Sequence, residues 1–542
     1  MELDPVLGSA FFGRREICVL FDKRLEAFRK GYRQNIGIIG APCVGKSSLV
    51  QNFLMRTTKC QIVTVLLSCK AFDSFERFSQ RWMGKLLLSL YRQIYEAEPR
   101  SFQELVSSLR RKIPKTLRHM KEVQKLTLLY RHYQAYRKLL NLSALLREES
   151  GNKFLLIFDD FDHLEELDLN DPFSTLGQEI MVQKDTMYVV TSSSVKRSWT
   201  IFHDKLSLLF GNFEVIKLDA FDFEEASSFI DERFPERSLE KEMIRFLIRL
   251  TDGHPYYLDL LTKSFRGCLA AVPLLSNKDL TVEVLAMELF GSSGMLHQHF
   301  RLRLSQLANG KPWPFYGDVL AAIAIGHKRL SQVARFLHFK GNDVKKVIDR
   351  LLQMEVVEKH GSLFLIPDPL FRFWLAHVYY SRRFLLETSF SAGKVGFQAA
   401  VSEAIEKSMR EDQKELPKRI EELFRKFRND VVELNQRKFK CPHFTEVISH
   451  PNNGRVFPVI ARNEETRWLC QVLSTKVTEE DIHVFLEDTK RLRSPIQKKL
   501  ILGLDGIDLN AKLLAHEAKI QYLDLKSFNF LLDLYDKPKL VF

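Results

Sequence analysis

The chain has 542 residues, of which 45% are hydrophobic and 27% charged, and this length predicts about three or four globular domains. Neither a membrane-spanning helix nor a secretory signal is expected, because no apolar run approaches roughly 18 residues and the first five residues are acidic. The seven cysteines are scattered without metal-ligand spacing, which argues against structural zinc and disulfides and favours the reducing cytoplasm. The net charge of +13 favours a polyanionic partner.

Five short apolar runs in residues 1–222 have the pattern of parallel strands that are buried on both faces. They are residues 36–39, 61–67, 154–158, 187–190 and 213–218. Between the second and third runs, a helical segment extends from about residue 72 to residue 149, longer than one crossover requires. We therefore predict an α/β domain at residues 1–222 with a helical insertion.

Four further regions follow this domain. The apolar period becomes helical from residue 223 to residue 308, which predicts a helical lid. A turn-rich stretch at 310–314, short helices and two strands at 356–357 and 363–366 favour a winged helix-turn-helix at 309–380. A mostly helical connector is expected at 381–440, and a last α/β domain at 441–542. Its predicted strands are 445–449, 456–462, 468–473, 500–504 and 520–523, and its helices 479–492, 510–518 and 526–535.

A phosphate-binding loop is predicted between the first strand and the following helix. The sequence Gly40-Ala41-Pro42-Cys43-Val44-Gly45-Lys46-Ser47-Ser48 matches G-x-x-x-x-G-K-[ST]. In such a loop, consecutive N–H groups and the helix N-terminus surround phosphates. Lys46 would neutralise the outer phosphates, and Ser47 would bind Mg²⁺. The motif therefore predicts ATP or ADP as ligand and Mg²⁺ as cofactor.

Two carboxylates follow the buried run at 154–158. We expect Asp159 to hold Mg²⁺ through water, and Asp160 to polarise the attacking water. Asp160 and Lys46 are thus the candidate catalytic residues. The role of Asp160 is the weaker inference, because an aspartate reaches less far than the glutamate common in such ATPases. The alternative for both residues is an acidic turn after an apolar strand.

Four more motifs occur in a fixed order around this site. They are Phe12-Gly13-Arg14-Arg15-Glu16, Thr191-Ser192-Ser193-Ser194, Thr251-Asp252-Gly253-His254-Pro255-Tyr256-Tyr257 and Asp368-Pro369-Leu370-Phe371-Arg372-Phe373-Trp374. With them, almost the whole chain resembles the archaeal-type ATPases of the STAND/AAA+ superfamily, relatives of the origin-recognition initiators. The resemblance implies an AAA+-like core with lid and winged helix. It also implies nucleotide contacts from Gly13, Arg14, Arg15, Ser192 and Pro255.

Alternatives and departures from the family accompany these motifs. Residues 13–15 also fit a turn that begins a helix, and Ser192 also fits a simple turn. Members often carry L-Y-G-R before the fifth strand, whereas this chain has Leu209-Phe210-Gly211-Asn212. Asn212 then leaves a phosphate-sensing role to Arg197 or to a neighbouring subunit.

Two basic segments are candidates for DNA contact. Residues 100–140 contain eleven Lys or Arg, including Arg110, Arg111, Lys112 and Lys115, against two Glu, and Tyr130, Tyr133 and Tyr136 are interleaved. The second segment is the helix at 343–354, which carries Lys345, Lys346 and Arg350. For the insertion, an acidic protein partner and a merely solvated face remain alternatives. For the helix, the alternative is packing within the chain.

The last domain resembles a restriction-endonuclease-like fold that has lost its chemistry. An active site of this type needs an Asp on one strand and Glu-x-Lys on the next. Pro458, Gln471 and Leu473 occupy these three positions, while Glu446 and Lys476 are out of register. We therefore expect this domain to bind or pack, and not to cut DNA.

Together, these patterns predict an ATP-binding, slowly hydrolysing switch that couples nucleotide state to DNA engagement or to partner assembly. The alternative is a STAND-type signalling or defence scaffold that forms homo-oligomers on sensing a ligand. An active DNA nuclease is the least expected function.

Overall fold

The computed structural model describes residues 4–57, 62–70, 74–206, 211–308, 313–385, 389–434, 437–450, 458–491 and 495–541. The chain divides into two compact units, Met1–Ala220 and Phe221–Phe542. This division lies close to the boundary predicted at residue 222. No helix in the described ranges is long and apolar enough to cross a membrane.

The first unit is built on a parallel sheet of five strands in the order β2-β3-β4-β1-β5. The strands are β1 (Asn35–Ile39), β2 (Ile62–Ser68), β3 (Lys153–Asp159), β4 (Thr186–Ser192) and β5 (Phe213–Lys217). Every residue of β1 and β4 is buried, as expected for strands covered on both faces. The predicted α/β fold class is confirmed.

Helices cover both faces of this sheet. They are α1 (Arg15–Arg29), α2 (Lys46–Thr57), α3 (Phe75–Tyr95), α4 (Phe102–Leu109), α5 (Pro114–Leu128), α6 (His132–Leu140), α7 (Leu142–Ser150), α8 (Pro172–Val182) and α9 (Val195–Thr200). Phe21 of α1 packs with Phe53 of α2 on one face, while Trp82 of α3 packs against Phe158 on the other. Helices α3 to α7 make up the predicted insertion, of which residues 72–73 lie outside the described ranges.

The second unit begins with helices and a small hairpin. They are α10 (Phe223–Arg233), α11 (Lys241–Thr251), α12 (Pro255–Ala271), α13 (Asn277–Leu285), α14 (Met295–Ala308), α15 (Trp313–Ala324), α16 (Leu330–Leu337), α17 (Gly341–Gln353), β6 (Glu358–His360), β7 (Leu363–Leu365), α18 (Pro369–Trp374) and α19 (Tyr380–Phe384). The strand predicted at 356–357 is wrong, because the N–H groups of Val356 and Val357 bond to Leu351 O at the end of α17. Residues 310–312 of the predicted joint lie outside the described ranges.

The predicted connector is helical only in its first part. Helices α20 (Phe390–Asp412) and α21 (Leu416–Phe424) precede a hairpin of β8 (Asp430–Leu434) and β9 (Arg437–Cys441), which the sequence analysis did not predict. Alternate residues of the hairpin are buried, and Val432 and Phe439 join the core of the last sheet together with Leu423. This last core therefore extends well before residue 441, the expected domain boundary.

A second sheet of five strands ends the chain, in the order β10-β11-β12-β13-β14. Its elements are β10 (Glu446–Ser449), β11 (Val459–Arg462), β12 (Arg467–Leu473), α22 (Glu479–Lys490), β13 (Lys498–Gly503), α23 (Leu509–Glu517), β14 (Ile520–Asp524) and α24 (Leu525–Leu534). The first three strands are antiparallel, and the last three are parallel. Residues 456–457, the expected start of β11, and 492 lie outside the described ranges.

The β6–β7 hairpin of the second unit, here called the wing, packs against the C-terminal domain. Leu363 and Leu365 belong to the C-terminal core, and the ring of His360 contacts that of Phe530 at a centroid distance of 4.5 Å. At the turn, Gly361 has φ +66°, and an added Cβ would lie 1.7 Å from the carbonyl oxygen of Val431. The tip of the wing is thus in direct contact with β8.

We expect Gly361→Ala to destabilise the protein by more than about 2 kcal/mol, because the new methyl group overlaps a main-chain carbonyl at a left-handed position. Gly396→Ala is the matched control, since nothing lies within 4 Å of a Cβ at that position in α20. The control is expected to gain about 0.5 kcal/mol from helix propensity. Denaturant unfolding measures both, and equal stability of the two variants would contradict the docked wing.

Candidate nucleotide site

The predicted phosphate loop lies at the carboxyl end of strand β1, which is paired with β4 and β5. Leu218 donates its N–H to Ile39 O at 2.7 Å, and Gly40 donates to Ser192 O at 3.2 Å, so neighbouring strand ends fix the start of the loop. A Cβ at Gly40 would lie 2.4 Å from Leu218 O, which leaves space only for glycine. Helix α2 begins at Lys46, so its N-terminus faces the loop, as anion binding requires.

Lys46 is held over the loop by main-chain oxygens. Its side chain is 5% exposed, and Nζ donates to Gly40 O at 2.9 Å and to Ala41 O at 2.8 Å. Burial lowers the pKa of Lys46, and the nearby carboxylates of Asp160 and Asp159 oppose this shift. A phosphate group that replaced the two carbonyls would satisfy a buried cation with a charged acceptor.

Ser47 and Asp159 form the pair predicted for Mg²⁺. Ser47 Oγ donates to Asp159 Oδ2 at 2.9 Å, and the hydroxyl of Thr191 donates to Asp159 Oδ1. Burial raises the pKa of Asp159, while the hydrogen bond from Thr191 lowers it. The structure thus brings together a hydroxyl and a carboxylate oxygen, which are the ligand types that Mg²⁺ prefers.

Asp160 is oriented by the end of strand β4. Its N–H donates to Thr191 Oγ1 at 3.0 Å, and its Oδ1 accepts from Ser193 Oγ at 2.9 Å. Thr191 and Ser193 were not singled out from the sequence. Ser192, the residue predicted to contact the nucleotide, is fully buried. Its Oγ accepts from Ser194 N at 3.2 Å, as expected for the alternative of a simple turn. Alternation along the strand would have grouped Thr191 with Ser193.

The segment with Gly13, Arg14 and Arg15 contacts the chain just after strand β5, which pairs with β1 in the sheet. Arg14 precedes helix α1, and its carbonyl accepts from Cys18 N at 3.0 Å, which is the helix-start role considered above. Its guanidinium also donates to Asp219 O, next to Leu218. Arg15 is exposed.

The side chain of Ser48 binds the N-terminal segment of the first unit. Its Oγ accepts the N–H of Val6 at 3.0 Å, and Asn52 in the next turn of α2 donates to Val6 O at 2.7 Å. These bonds fix the N-terminal segment on the helix that carries the phosphate loop. Pro42 and Ala41 are exposed in the loop, whereas Val44 is buried below it.

Asn212 and Arg197 occupy opposite ends of the sheet. Asn212 O accepts from Asn35 N at 2.9 Å at the amino end of β1, whereas the phosphate loop follows its carboxyl end. Arg197 Nη2 lies 2.8 Å from Glu165 Oε2, and Nη1 lies 3.7 Å from Asp162 Oδ2. A residue at position 212 is therefore remote from the loop of its own subunit. Residues 209–210 lie outside the described ranges.

Within the second unit, the motif at residues 251–257 is hydrogen-bonded to the motif at residues 368–374. Asp368 accepts from Tyr257 Oη at 2.7 Å, from Arg303 Nη1 at 2.7 Å and from Phe371 N at 3.0 Å. Burial opposes the charge, but Arg303 and these donors hold the pKa of Asp368 below its usual range. Pro255 is the first residue of α12, two positions before Tyr257. Its contact with nucleotide stays a prediction.

Comparisons with known proteins agree with this geometry. Residues 10–182 match the family model described as AAA ATPase domain. The five-stranded parallel sheet of the first unit is typical of a P-loop AAA+ core. A comparison with curated proteins gave no match.

Among solved structures, three archaeal proteins are similar to this chain. The Walker-type ATPase of Pyrococcus abyssi is 17% identical, with a TM-score of 0.45, covering 69% of this chain and 99% of that one. The ORC2 protein of Aeropyrum pernix, described in ADPNP–ADP complexes, is 13% identical, with a TM-score of 0.40 and coverages of 74% and 98%. The ORC1 protein of the same organism, described in complex with DNA, is 12% identical, with a TM-score of 0.39 and coverages of 69% and 95%.

The residues of the AAA+ core fit a nucleotide with Mg²⁺. The close approach at Gly40, the buried Lys46 cation and the Ser47–Asp159 pair form a cradle with the donors and acceptors that phosphates and a divalent ion require. When bound, Mg²⁺ offsets negative charge on the phosphate oxygens. With a nucleotide bound, Lys46 would hold the outer phosphates, and Asp160, oriented by Ser193, would accept a hydrogen bond from a water molecule.

The basic insertion exposes most of its charge. Arg110, Arg111, Lys112 and Lys115 are all exposed, and Tyr130 is 85% exposed. Tyr136, in contrast, is buried in the core of the first unit, so its predicted place on a binding surface is wrong. Lys138 pairs with Glu122 at 2.8 Å and contributes less free charge than expected.

On helix α17, Lys345 and Lys346 are exposed, and Arg350 is half-buried. The adjacent wing has its apolar side covered by the C-terminal domain. The covered side of this hairpin is therefore not available to contact DNA. This arrangement favours the alternative in which the module packs within the chain.

The C-terminal sheet has no acidic residue at the two strand positions where nuclease chemistry would need one. Val459 pairs with Cys470, which makes Pro458 and Gln471 cross-strand neighbours, and neither is acidic. Glu446 bonds to Arg462, and Lys476 lies 2.5 Å from Asp508, so both out-of-register candidates serve other partners. Across the described ranges, no group of three or more His, Cys, Asp or Glu side chains is arranged to hold a metal ion.

Proposed function

We propose that this protein is an ATP-binding, slowly hydrolysing switch whose nucleotide state controls engagement of DNA by the basic insertion. The observation that carries the proposal is the Lys46, Ser47 and Asp159 arrangement, in which a buried cation, a hydroxyl and a carboxylate converge at one sheet edge. Energy for such a switch comes from the difference in nucleotide affinity between two conformations.

The hydroxyl of Thr191 supports coupling between the phosphates and the rest of the core. It donates to Asp159 and accepts from the N–H of Asp160, so it links the expected metal ligand to the expected base. Because Asp159 also accepts from Ser47, a change at the phosphate loop reaches strand β4 through two hydrogen bonds. Loss of the nucleotide would therefore change the hydrogen bonds made by residues 191–193.

DNA engagement is assigned to the insertion and not to the wing. The four exposed cations Arg110, Arg111, Lys112 and Lys115 lie within six residues, and none of them is matched by an ion pair within the described part of the chain. Phosphate contacts of this kind supply sequence-independent affinity. The C-terminal domain covers the wing, which supports a packing role for residues 309–380.

We expect replacement of Arg110, Arg111, Lys112 and Lys115 by alanine to weaken binding to a fluorescent duplex of arbitrary sequence. If all four contact phosphate, the slope of log affinity against log salt should fall by about 3 to 4, since each contact releases counterions. Fluorescence anisotropy at several salt concentrations measures the slope. The control removes four exposed cations from the second unit, at Arg437, Lys438, Lys440 and Lys512, and should leave the slope unchanged.

Two results would redirect the proposal. An unchanged slope in the insertion variant would assign these cations to an acidic protein partner. Failure of the wild type to bind DNA at low salt, together with ATP-dependent assembly, would favour the alternative of a signalling scaffold.

A further inference from the structure

A second concave site lies along the open edge of the first sheet. Strand β2 pairs with β3 alone among the described residues, and a groove of about 1220 Å³ extends along its other side. Leu54 at the end of α2, the side chains of Ile62 and Leu66, and the polar side of α3 line this groove. None of these residues belongs to the nucleotide site.

The main chain of β2 is suited to receive another strand. Cys69 donates its N–H to Asp159 O at 2.8 Å, which shows that odd-numbered residues of β2 bond to β3. In a parallel pair, the residues between them direct both N–H and C=O to the opposite side. Even-numbered positions such as Leu66 therefore direct their main-chain groups toward the groove.

Helix α3 gives the groove a positive wall. Arg77, Arg81, Lys85 and Arg92 line it, and no acidic side chain does so within the described ranges. Because a helix rises about 1.5 Å per residue, this row is about 22 Å long, similar to a strand of about seven residues. Lys85 is half-buried; burial lowers its pKa, and the charges of Arg81 and Arg92 lower it further. Arg92 also pairs with Glu98 at 2.7 Å, whereas no ion pair of Arg81 or Lys85 occurs within the described ranges.

We propose that this groove binds an extended acidic segment of a partner protein, which pairs with β2 and directs its carboxylates toward α3. Strand addition at an open edge supplies main-chain hydrogen bonds, and alternate side chains supply specificity. One side of the added strand would meet Arg81 and Lys85, and the other would cover Leu54 and Leu66. Charge complementarity therefore selects an acidic, alternating sequence.

Single-stranded nucleic acid fits the groove less well. Proteins that bind single strands stack the bases on aromatic side chains. No aromatic side chain lines the groove in the part of the chain that the structure describes. Aliphatic side chains such as Leu66 and Leu88 occupy these positions, and they suit apolar peptide side chains.

The test uses the full chain and a fluorescent peptide of about ten residues in which Glu and Val alternate. We expect binding at low salt by fluorescence anisotropy, and a loss of about tenfold or more in the double variant Arg81→Glu/Lys85→Glu. The matched control, Lys438→Glu/Lys440→Glu, makes the same charge change at two exposed lysines of β9 in the second unit and should bind the peptide like the wild type. Wild-type ATP affinity shows that each variant is folded.

Main-chain pairing is tested separately with two peptides that carry N-methyl groups on alternate residues. Only one of the two sets of N–H groups faces β2, so one peptide should lose binding and the other keep it. Equal binding of both peptides, equal loss in both charge-reversal variants, or no binding of the unmodified peptide would overturn the proposal. Binding of oligo-dT that only Arg81→Glu/Lys85→Glu abolishes would instead assign the groove to nucleic acid.

Discussion

Lys46→Ala should lower ATP affinity by about 100-fold or more. The substitution removes the buried cation that faces the outer phosphates and leaves their charge without its main partner in a water-poor site. It also frees the carbonyls of Gly40 and Ala41, which accept from Nζ. Titration with a fluorescent ATP analogue measures the change.

The matched control is Lys23→Ala, which removes an exposed lysine from helix α1 of the same unit. This variant should bind ATP like the wild type. Wild-type affinity and turnover in Lys46→Ala would show that residues 40–48 are not a phosphate-binding loop.

Asp160→Asn should leave ATP affinity nearly unchanged and slow hydrolysis by about 10²- to 10⁴-fold. An amide oxygen can still accept from Ser193 Oγ, so the local geometry is retained, but an amide is too weak a base to polarise water. Phosphate release under saturating ATP measures the turnover, and nucleotide titration measures the affinity.

Glu148→Gln provides the comparison, because it neutralises an exposed carboxylate on helix α7 of the same unit. It should hydrolyse ATP at the wild-type rate. If Asp160→Asn did the same, the two aspartates at the carboxyl end of β3 would be reduced to one functional carboxylate, Asp159.

Sequence patterns were sufficient for the sheet of the first unit because its inner strands are buried on both faces. Such strands appear as continuous apolar runs, and the phosphate loop and the aspartates are placed by the strands that precede them. The hairpin at Asp430–Cys441 was missed for the opposite reason. Most of its exposed residues are charged (Glu433, Arg437, Lys438 and Lys440), so the segment has the composition of a solvated helix.

The contacts that orient the site depend on neighbours distant in sequence. Thr191 lies 31 positions from Asp160, and only the pairing of β3 with β4 brings them together. The choice between Thr191 and Ser192 depended on which side of β4 faces the aspartates. Periodicity restricts that choice to alternate residues, but the packing of the sheet decides between them.

The docked wing affects how deletions of the C-terminal domain should be interpreted. Leu363 and Leu365 share one apolar core with Leu423 and Phe439, so removal of residues 441–542 exposes the apolar side of the wing to water. A shortened chain would then expose an apolar surface and a hairpin without its packing partners. A low level of such a chain in cells would reflect aggregation. Single substitutions at the wing, which keep the chain at full length, separate a lost interface from a lost fold.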